Sequence, residues 1–193
     1  MLDSFKEKTL NNLEVGRLYE RYIGYLYETD GWAVSFKGII DGFDDLGRDL
    51  ICIKADEHLV VQAKCWSRHN PVKENAVYQL YASTAHYRMQ LRNALKQAYG
   101  RKKAREIMRE KKIKSVICIN NNLSEAAEDA AKYFGMEVRQ EKLSKTYPMI
   151  KCNISTNGQS RLYHLPFDPA YDSIVIGNME GEKYVATVQE AED

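Results

Sequence analysis

The stretch Asp49-Leu-Ile-Cys-Ile-Lys54, Ala55-Asp56-Glu57, His58-Leu-Val-Val-Gln-Ala-Lys64 sets two apolar, β-branched runs on either side of a short polar break. Runs of that character and length read as strands. So tight a connection makes them antiparallel neighbours, with the start of the first beside the end of the second. Asp49 and Lys64 therefore meet at one edge. Period-two alternation sets Gln62 and Lys64 on one face of their strand and turns Ala63 to the other. A carboxylate, an amide and an ammonium group converge.

That trio has the chemistry of phosphodiester hydrolysis. Such a reaction needs a cation that polarises the phosphate and lowers the pKa of an attacking water, with a fixed positive charge against the negative charge that develops. Asp49 can hold Mg²⁺ (or Mn²⁺), Lys64 supplies the charge, and Gln62 offers a neutral hard oxygen suited to the same ions. Each residue also has a plainer role. Asp49 could be a turn carboxylate and Lys64 an edge-strand lysine that blocks aggregation.

Around this hairpin the chain resembles the PD-(D/E)xK nuclease superfamily, in its Mrr-like restriction endonuclease branch and the related archaeal Holliday junction resolvases. The matching pieces are Gly16-Arg-Leu-Tyr-Glu20, Asp45-x-Gly-x-Asp49, Val61-Gln-Ala-Lys-Cys-Trp66 and Asn70-Pro-Val72. Weaker matches follow at Ser115-Val-Ile-Cys-Ile-Asn120 and in the helix-like run from Ser124 to Phe134, so the likeness covers roughly the first three quarters of the chain. It implies an α/β/α sandwich with a mixed central sheet and a Mg²⁺-dependent endonuclease acting on DNA. It also implies Glu20 as the helical acid, Asp49 as metal ligand, Gln62 as second ligand position and Lys64 as catalytic lysine. Glu14 competes with Glu20 on the same helix but lacks the Gly-x-x-x-Glu spacing. Glu20 itself falls beside the apolar stripe Leu18, Tyr19, Tyr22, Ile23, Leu26, Tyr27 rather than on it. Gln79-Leu-Tyr81 resembles the glutamine-bearing helix that follows the catalytic lysine in relatives. That helix lies near the active site in relatives, where an amide could contact a phosphate or order a water, against the alternative of an exposed Gln79 beside core Tyr78, Leu80, Tyr81 and Ala85.

A glutamine in place of the usual acid has a cost. One charge fewer at ~4 Å from a metal is worth about 4 kcal/mol gross at an effective dielectric near 20, most of it returned by hydration. Metal is therefore expected to bind weakly until substrate phosphates complete the coordination shell.

The chain of 193 residues has 44% hydrophobic and 28% charged residues, enough for one good core plus an appendage. No apolar segment follows Lys6 and Lys8 and none reaches membrane-spanning length, so a cytoplasmic protein is expected. Cys52, Cys65, Cys118 and Cys152 stand singly and read as reduced buried thiols. The net charge of +1 hides an asymmetry. Between His86 and Lys114 lie Arg88, Arg92, Lys96, Arg101, Lys102, Lys103 and five further cations against Glu106 and Glu110. That block is expected to neutralise nucleic-acid phosphates, with Arg68 and Gln79 nearer the site, or else to form a solvated helix face. Trp66, Arg68 and His69 could line the substrate groove, with the indole available for stacking.

Along the chain, a helix is expected over 11–29, a strand over 32–36 and a loop from Gly38 to Gly47. After the site hairpin come a long helix over 73–99 capped by Gly100, a basic helix over 101–111, a strand over 116–119, a helix from Ser124 and a strand over 137–139. Residues 1–143 read as the catalytic domain, with a basic helical insertion about 86–114, and 144–193 as a small β-rich module. In that module the runs 149–154 with 161–165 and 173–176 with 183–187 suggest two hairpins. His164 is not expected to bind metal, and the unit should pack on the main domain. The ending Gln189-Glu-Ala-Glu-Asp193 reads as truncated. Cutting both strands calls for a homodimer. The same chemistry permits RNA as substrate, and the alternative to an enzyme is a DNA-binding or assembly module that keeps the fold without activity.

Overall fold

A computed structural model describes residues 9–41, 47–67, 69–155, 160–177 and 179–193, with the side chains of Ile40 and Asp41 left aside. Its centre is a five-stranded mixed sheet in the order β1-β2-β3-β4-β5. The strands are β1 Ala33–Phe36, β2 Leu50–Lys54, β3 Glu57–Lys64, β4 Lys112–Ile119 and β5 Glu137–Gln140. The first three pair antiparallel and the last three parallel. The β2–β3 hairpin turns through Ala55, whose φ of 52° lies in the left-handed region. A non-glycine residue there carries a cost of about 1–2 kcal/mol.

Helix α1, Asn12–Thr29, starts on a reciprocal cap. Asn11 accepts from the Glu14 amide at 3.0 Å and the Glu14 carboxylate accepts from the Asn11 amide at 2.9 Å. Tyr19, Ile23 and Tyr27, one helical turn apart, bury against Phe36, Leu50, Leu59 and Val61 on one sheet face. Helix α2, Lys37–Asp41, occupies part of the segment expected as loop.

The opposite face carries α3, Glu74–Glu110, and α4, Glu125–Tyr133, which cover Ile51, Val60, Ile117 and Ile119. The layers are therefore helix, sheet, helix, as expected. Helix α3 is two limbs joined at Gly100, whose φ of 77° and ψ of 168° are non-helical. It is where the sequence places a cap, and only glycine adopts that conformation without strain. The β4 strand begins four residues before the expected 116, because Lys112 pairs with Glu57.

A second sheet, in the order β7-β6-β8, comprises β6 Ile150–Ile154, β7 Arg161–His164 and β8 Lys183–Val185, followed by α5 Val188–Glu192. The first expected hairpin forms. The second does not: Tyr171–Ser173 is a 3₁₀ turn, and β8 pairs with β6. Arg21 and Glu28 explain this arrangement. The Arg21 guanidinium grips Asp172 with two bonds of 2.8 and 2.6 Å and donates to the Pro166 carbonyl. Glu28 accepts from the Ile176 amide and from the Tyr184 hydroxyl. The segment 166–176 is thereby tied to α1 rather than to a strand of its own. Lys151, fully buried beside the rings of Phe36 and Tyr171, faces Glu28 at 3.5 Å. His164 bonds Asn153 at 3.1 Å.

No helix among the described residues is long and apolar enough to cross a membrane. Cys52 and Cys118 are buried and Cys65 and Cys152 half-buried, all as free thiols.

Candidate active site

The β2–β3 ladder sets Leu50 opposite Val61. One step further, Asp49 leaves regular pairing. Its amide donates to the Val61 carbonyl at 2.9 Å, and its Oδ2 accepts from the Ala63 amide at 2.6 Å. This holds a nearly buried carboxylate in the plane of the sheet at the end of the hairpin. Its other oxygen, Oδ1, faces Gly38. A Cβ on Gly38 would lie 3.1 Å from Asp49 Oδ1 and 2.9 Å from Glu20 Oε2. The two carboxylates, one from the sheet and one from α1, thus stand within about 6 Å of each other, a range at which like charges interact strongly. Glycine at position 38 leaves the space between them open.

Gln62 lies one residue before Ala63, the residue whose amide holds Asp49. Leu59, Val61 and Ala63 face α1, whereas Val60 faces α3. Alternation then turns Gln62 toward α3, where its Nε2 donates to Gln79 Oε1 at 3.2 Å. Gln62 is fully buried, and its Oε1 has no hydrogen-bond partner among the described residues. A buried acceptor left unsatisfied costs about 1–3 kcal/mol, so an orphan of this kind calls for a role. Gly47 leaves room for Gln79, because a Cβ there would fall 2.3 Å from the Gln79 amide carbon. Gln79 is exposed overall, yet its amide reaches inward. Of the neighbours that the alternative places in the core, Tyr78, Tyr81 and Ala85 are exposed and only Leu80 is buried.

Lys64, half-buried, ends β3 and lines a cavity of about 520 Å³ together with Gly16, Glu20, Cys65, Trp66 and Asn70. It makes no ion pair among the described residues. Burial pushes the Cys65 thiol up, which leaves it neutral and inert in this cleft. Trp66, 41% exposed, stands at the rim. Its backbone is clamped by Asn120, which accepts from the Trp66 amide at 2.8 Å and donates to the Trp66 carbonyl at 3.0 Å. Asn121 similarly donates to the carbonyls of Ser67 and Asn70. These asparagines and Gly38 escaped the sequence reading. The run Asn120-Asn121-Asn122 at a strand end was the available signal for the first, and nothing local marked the second.

Among the acids of α1, Glu14 is engaged at the cap and Glu20 faces the cleft. Asp45 and Arg68 lie outside the described residues. The basic block lies away from this cleft. Although it follows the site in sequence, Arg88 bonds the Ile113 carbonyl near the start of β4, at the end of the sheet opposite Lys64. Arg92, Lys96, Arg101, Lys102 and Lys103 lie beyond it along α3.

Among the described residues no three His, Cys, Asp or Glu side chains form a metal-binding group. Two carboxylates and an amide oxygen are nonetheless a hard, all-oxygen set of the kind Mg²⁺ or Mn²⁺ accepts. The open space at Gly38 and the orphaned Gln62 oxygen fit such an ion.

No curated protein matches the chain. Two solved structures resemble it at low similarity. A repair endonuclease from Pyrococcus abyssi is 17% identical, with a TM-score of 0.38, over 70% of this chain and 49% of its own. The apo form of EndoMS is 15% identical, with a TM-score of 0.36, over 72% and 49%. The chain thus spans about half the length of either. The Mrr_cat restriction endonuclease family model matches residues 15–120, a stretch that holds most of α1, the site hairpin, both limbs of α3 and β4. The chain belongs to the Mrr-type restriction endonuclease family.

Proposed function

We propose that this chain is a divalent-metal-dependent endonuclease that hydrolyses DNA phosphodiester bonds at the Glu20–Asp49–Gln62–Lys64 site. The observation that carries this reading is the meeting of Glu20 and Asp49 across Gly38, with the unpartnered Gln62 oxygen on the same strand end as Lys64. Glu20, Asp49 and Gln62 would hold Mg²⁺ or Mn²⁺. Bound there, the ion supplies polarisation of the phosphate and a water of lowered pKa. Asp49 is kept in place by the Ala63 amide, and Gln62 keeps its oxygen free because its nitrogen is committed to Gln79. Lys64 presents its ammonium group to the charge that develops on the phosphate. Trp66, on its asparagine-held loop, offers an exposed ring at the entrance for a base or sugar. Cutting both strands with one site per chain calls for two copies related by a two-fold axis.

The test is incubation with supercoiled, linear, branched and single-stranded DNA, and with RNA, in Mg²⁺, Mn²⁺ or EDTA. Metal-dependent DNA cleavage that Asp49→Ala and Lys64→Ala each abolish, with binding retained, is the expected result. Binding without cleavage in any metal would identify a module that keeps the fold and has lost the chemistry.

A further inference from the structure

From Asn75 to Arg105 helix α3 contains no aspartate or glutamate, although much of it is exposed. Soluble helices ordinarily mix both signs on their solvent face. The omission begins beside the site, at Gln79, and continues to the far end. Tyr78, Tyr81 and Met89 are about half exposed along the way, and cations gather beyond them. Lys103 pairs with Glu106 at 3.4 Å, whereas Arg92, Arg101, Lys102 and Arg105 are exposed and make no ion pair among the described residues.

The fold-back at Gly100 fixes where these charges lie. A straight helix from Glu74 to Glu110 would run about 55 Å at ~1.5 Å per residue. Instead Lys111 reaches Asp56, in the β2–β3 turn, at 2.8 Å, and Met108 returns to the core cluster with Leu91 and Ile113. The segment 92–107 therefore overhangs the end of the sheet as a two-limbed projection. The run from Lys64 back to Glu57 is about 23 Å at ~3.3 Å per residue. The run from Arg88 to Tyr99 adds about 16 Å. Laid end to end, the two set an upper limit of roughly 40 Å between the tip and Lys64, a span that includes one turn of B-DNA at about 34–36 Å.

We propose that the projecting limbs of α3 form an arm that holds duplex backbone about one helical turn away from the bond cut at the site. The inference rests on the nuclease reading above and deepens it to a substrate class: duplex long enough to reach both places. Duplex fits better than single strand because its persistence length of about 150 bp transmits a fixed separation, which a flexible strand does not. Unpaired guanidinium and ammonium groups on a helix that carries no carboxylate from Asn75 to Arg105 fit a polyanion, and they carry no device for reading sequence.

The experiment compares wild type with Arg101→Glu/Lys102→Glu/Arg105→Glu, and with the gentler Arg101→Gln/Lys102→Gln/Arg105→Gln, in the full chain. Cleavage at subsaturating enzyme is measured on 12-bp and 40-bp duplexes carrying the same cut site, and binding to the 40-bp duplex is titrated against salt in EDTA. The wild-type ratio of kcat/KM on long over short duplex is expected to exceed roughly tenfold and to collapse toward one in the charge-reversed variant. The neutral variant should fall between. The salt slope should shallow by about 0.9 for each phosphate that the variant no longer neutralises. A ratio that is the same in wild type and both variants overturns the arm, as does an unchanged salt slope. A wild type that neither binds nor cuts either duplex overturns the nuclease reading itself, and the arm with it.

Discussion

Asp49 and Ala63 are joined by a 2.6 Å bond in which a side-chain oxygen stands where a strand would normally offer a backbone carbonyl. The carboxylate is thereby both a structural acceptor and a candidate ligand, and the two roles separate on mutation. Asp49→Asn keeps an oxygen for the Ala63 amide and removes the charge. Cleavage is expected to fall by about a hundredfold or more, the scale of losing one pre-organised electrostatic group. Melting temperature and DNA affinity in EDTA should stay close to wild type. Single-turnover kinetics in Mn²⁺ beside calorimetric melting checks this, and a fully active Asp49→Asn chain would remove the residue from the site.

Gly38 matters for the space it leaves. A methyl group there would press on Glu20 Oε2 at 2.9 Å and on the Asp49 Cα at 3.2 Å. The glutamate can swing away at little cost, but the backbone atom cannot. Gly38→Ala is therefore expected to separate the two carboxylates and to lower cleavage well beyond any loss of stability, which overpacking puts at about 1–3 kcal/mol. Rates measured at saturating metal, set against urea unfolding, distinguish the two effects.

The hairpin was legible because its pattern is local. Alternation fixes the faces of Gln62 and Lys64, and a short polar break fixes antiparallel pairing, so Asp49 had to arrive beside them. The helix start near Asn11, the stop at Gly100 and the start at Ser124 were legible for the same reason. Gly38 was not, because its role is to be near Glu20 and Asp49, both distant in sequence. The failed second hairpin has the same origin. Residues 173–176 look like a strand, but Arg21 and Glu28 hold the surrounding segment on α1, and tertiary bonds of that strength override weak local preference. The place of the basic block was not legible for the converse reason. It adjoins Lys64 in sequence, but α3 carries it to the other end of the sheet before Gly100 turns the chain.

Gln62→Glu should restore the charge that the usual acid would bring. Gln79 can turn its amide to donate to the new carboxylate, so the bond across the site survives in reversed form. The gross gain for an ion at ~4 Å is about 4 kcal/mol at an effective dielectric near 20, before hydration offsets most of it. Mg²⁺ is expected to bind the free variant at least several-fold more tightly than the free wild type. Isothermal titration in the absence of DNA makes the comparison. Equal affinity would mean that Gln62 does not touch the ion.

The buried pair Glu28–Lys151 gives a prediction with a sign in pH. Burial raises the Glu28 carboxyl above its ordinary value of 4.5, while Lys151 pulls it back down. Lys151→Met removes that pull, so the folded carboxyl rises further above its unfolded value. The folded state then binds more protons than the unfolded state between the two values, and stability must fall as pH rises through that window. At neutral pH the uncompensated carboxylate should cost about 3–5 kcal/mol, although its bonds from Ile176 and Tyr184 remain. Near pH 4 the variant should approach wild type, because Glu28 is then largely protonated in both folded and unfolded chains. Urea unfolding at intervals from pH 4 to pH 8 reads the difference directly. A deficit that stays constant across that range would show that Lys151 contributes packing against Phe36 and Tyr171 rather than charge.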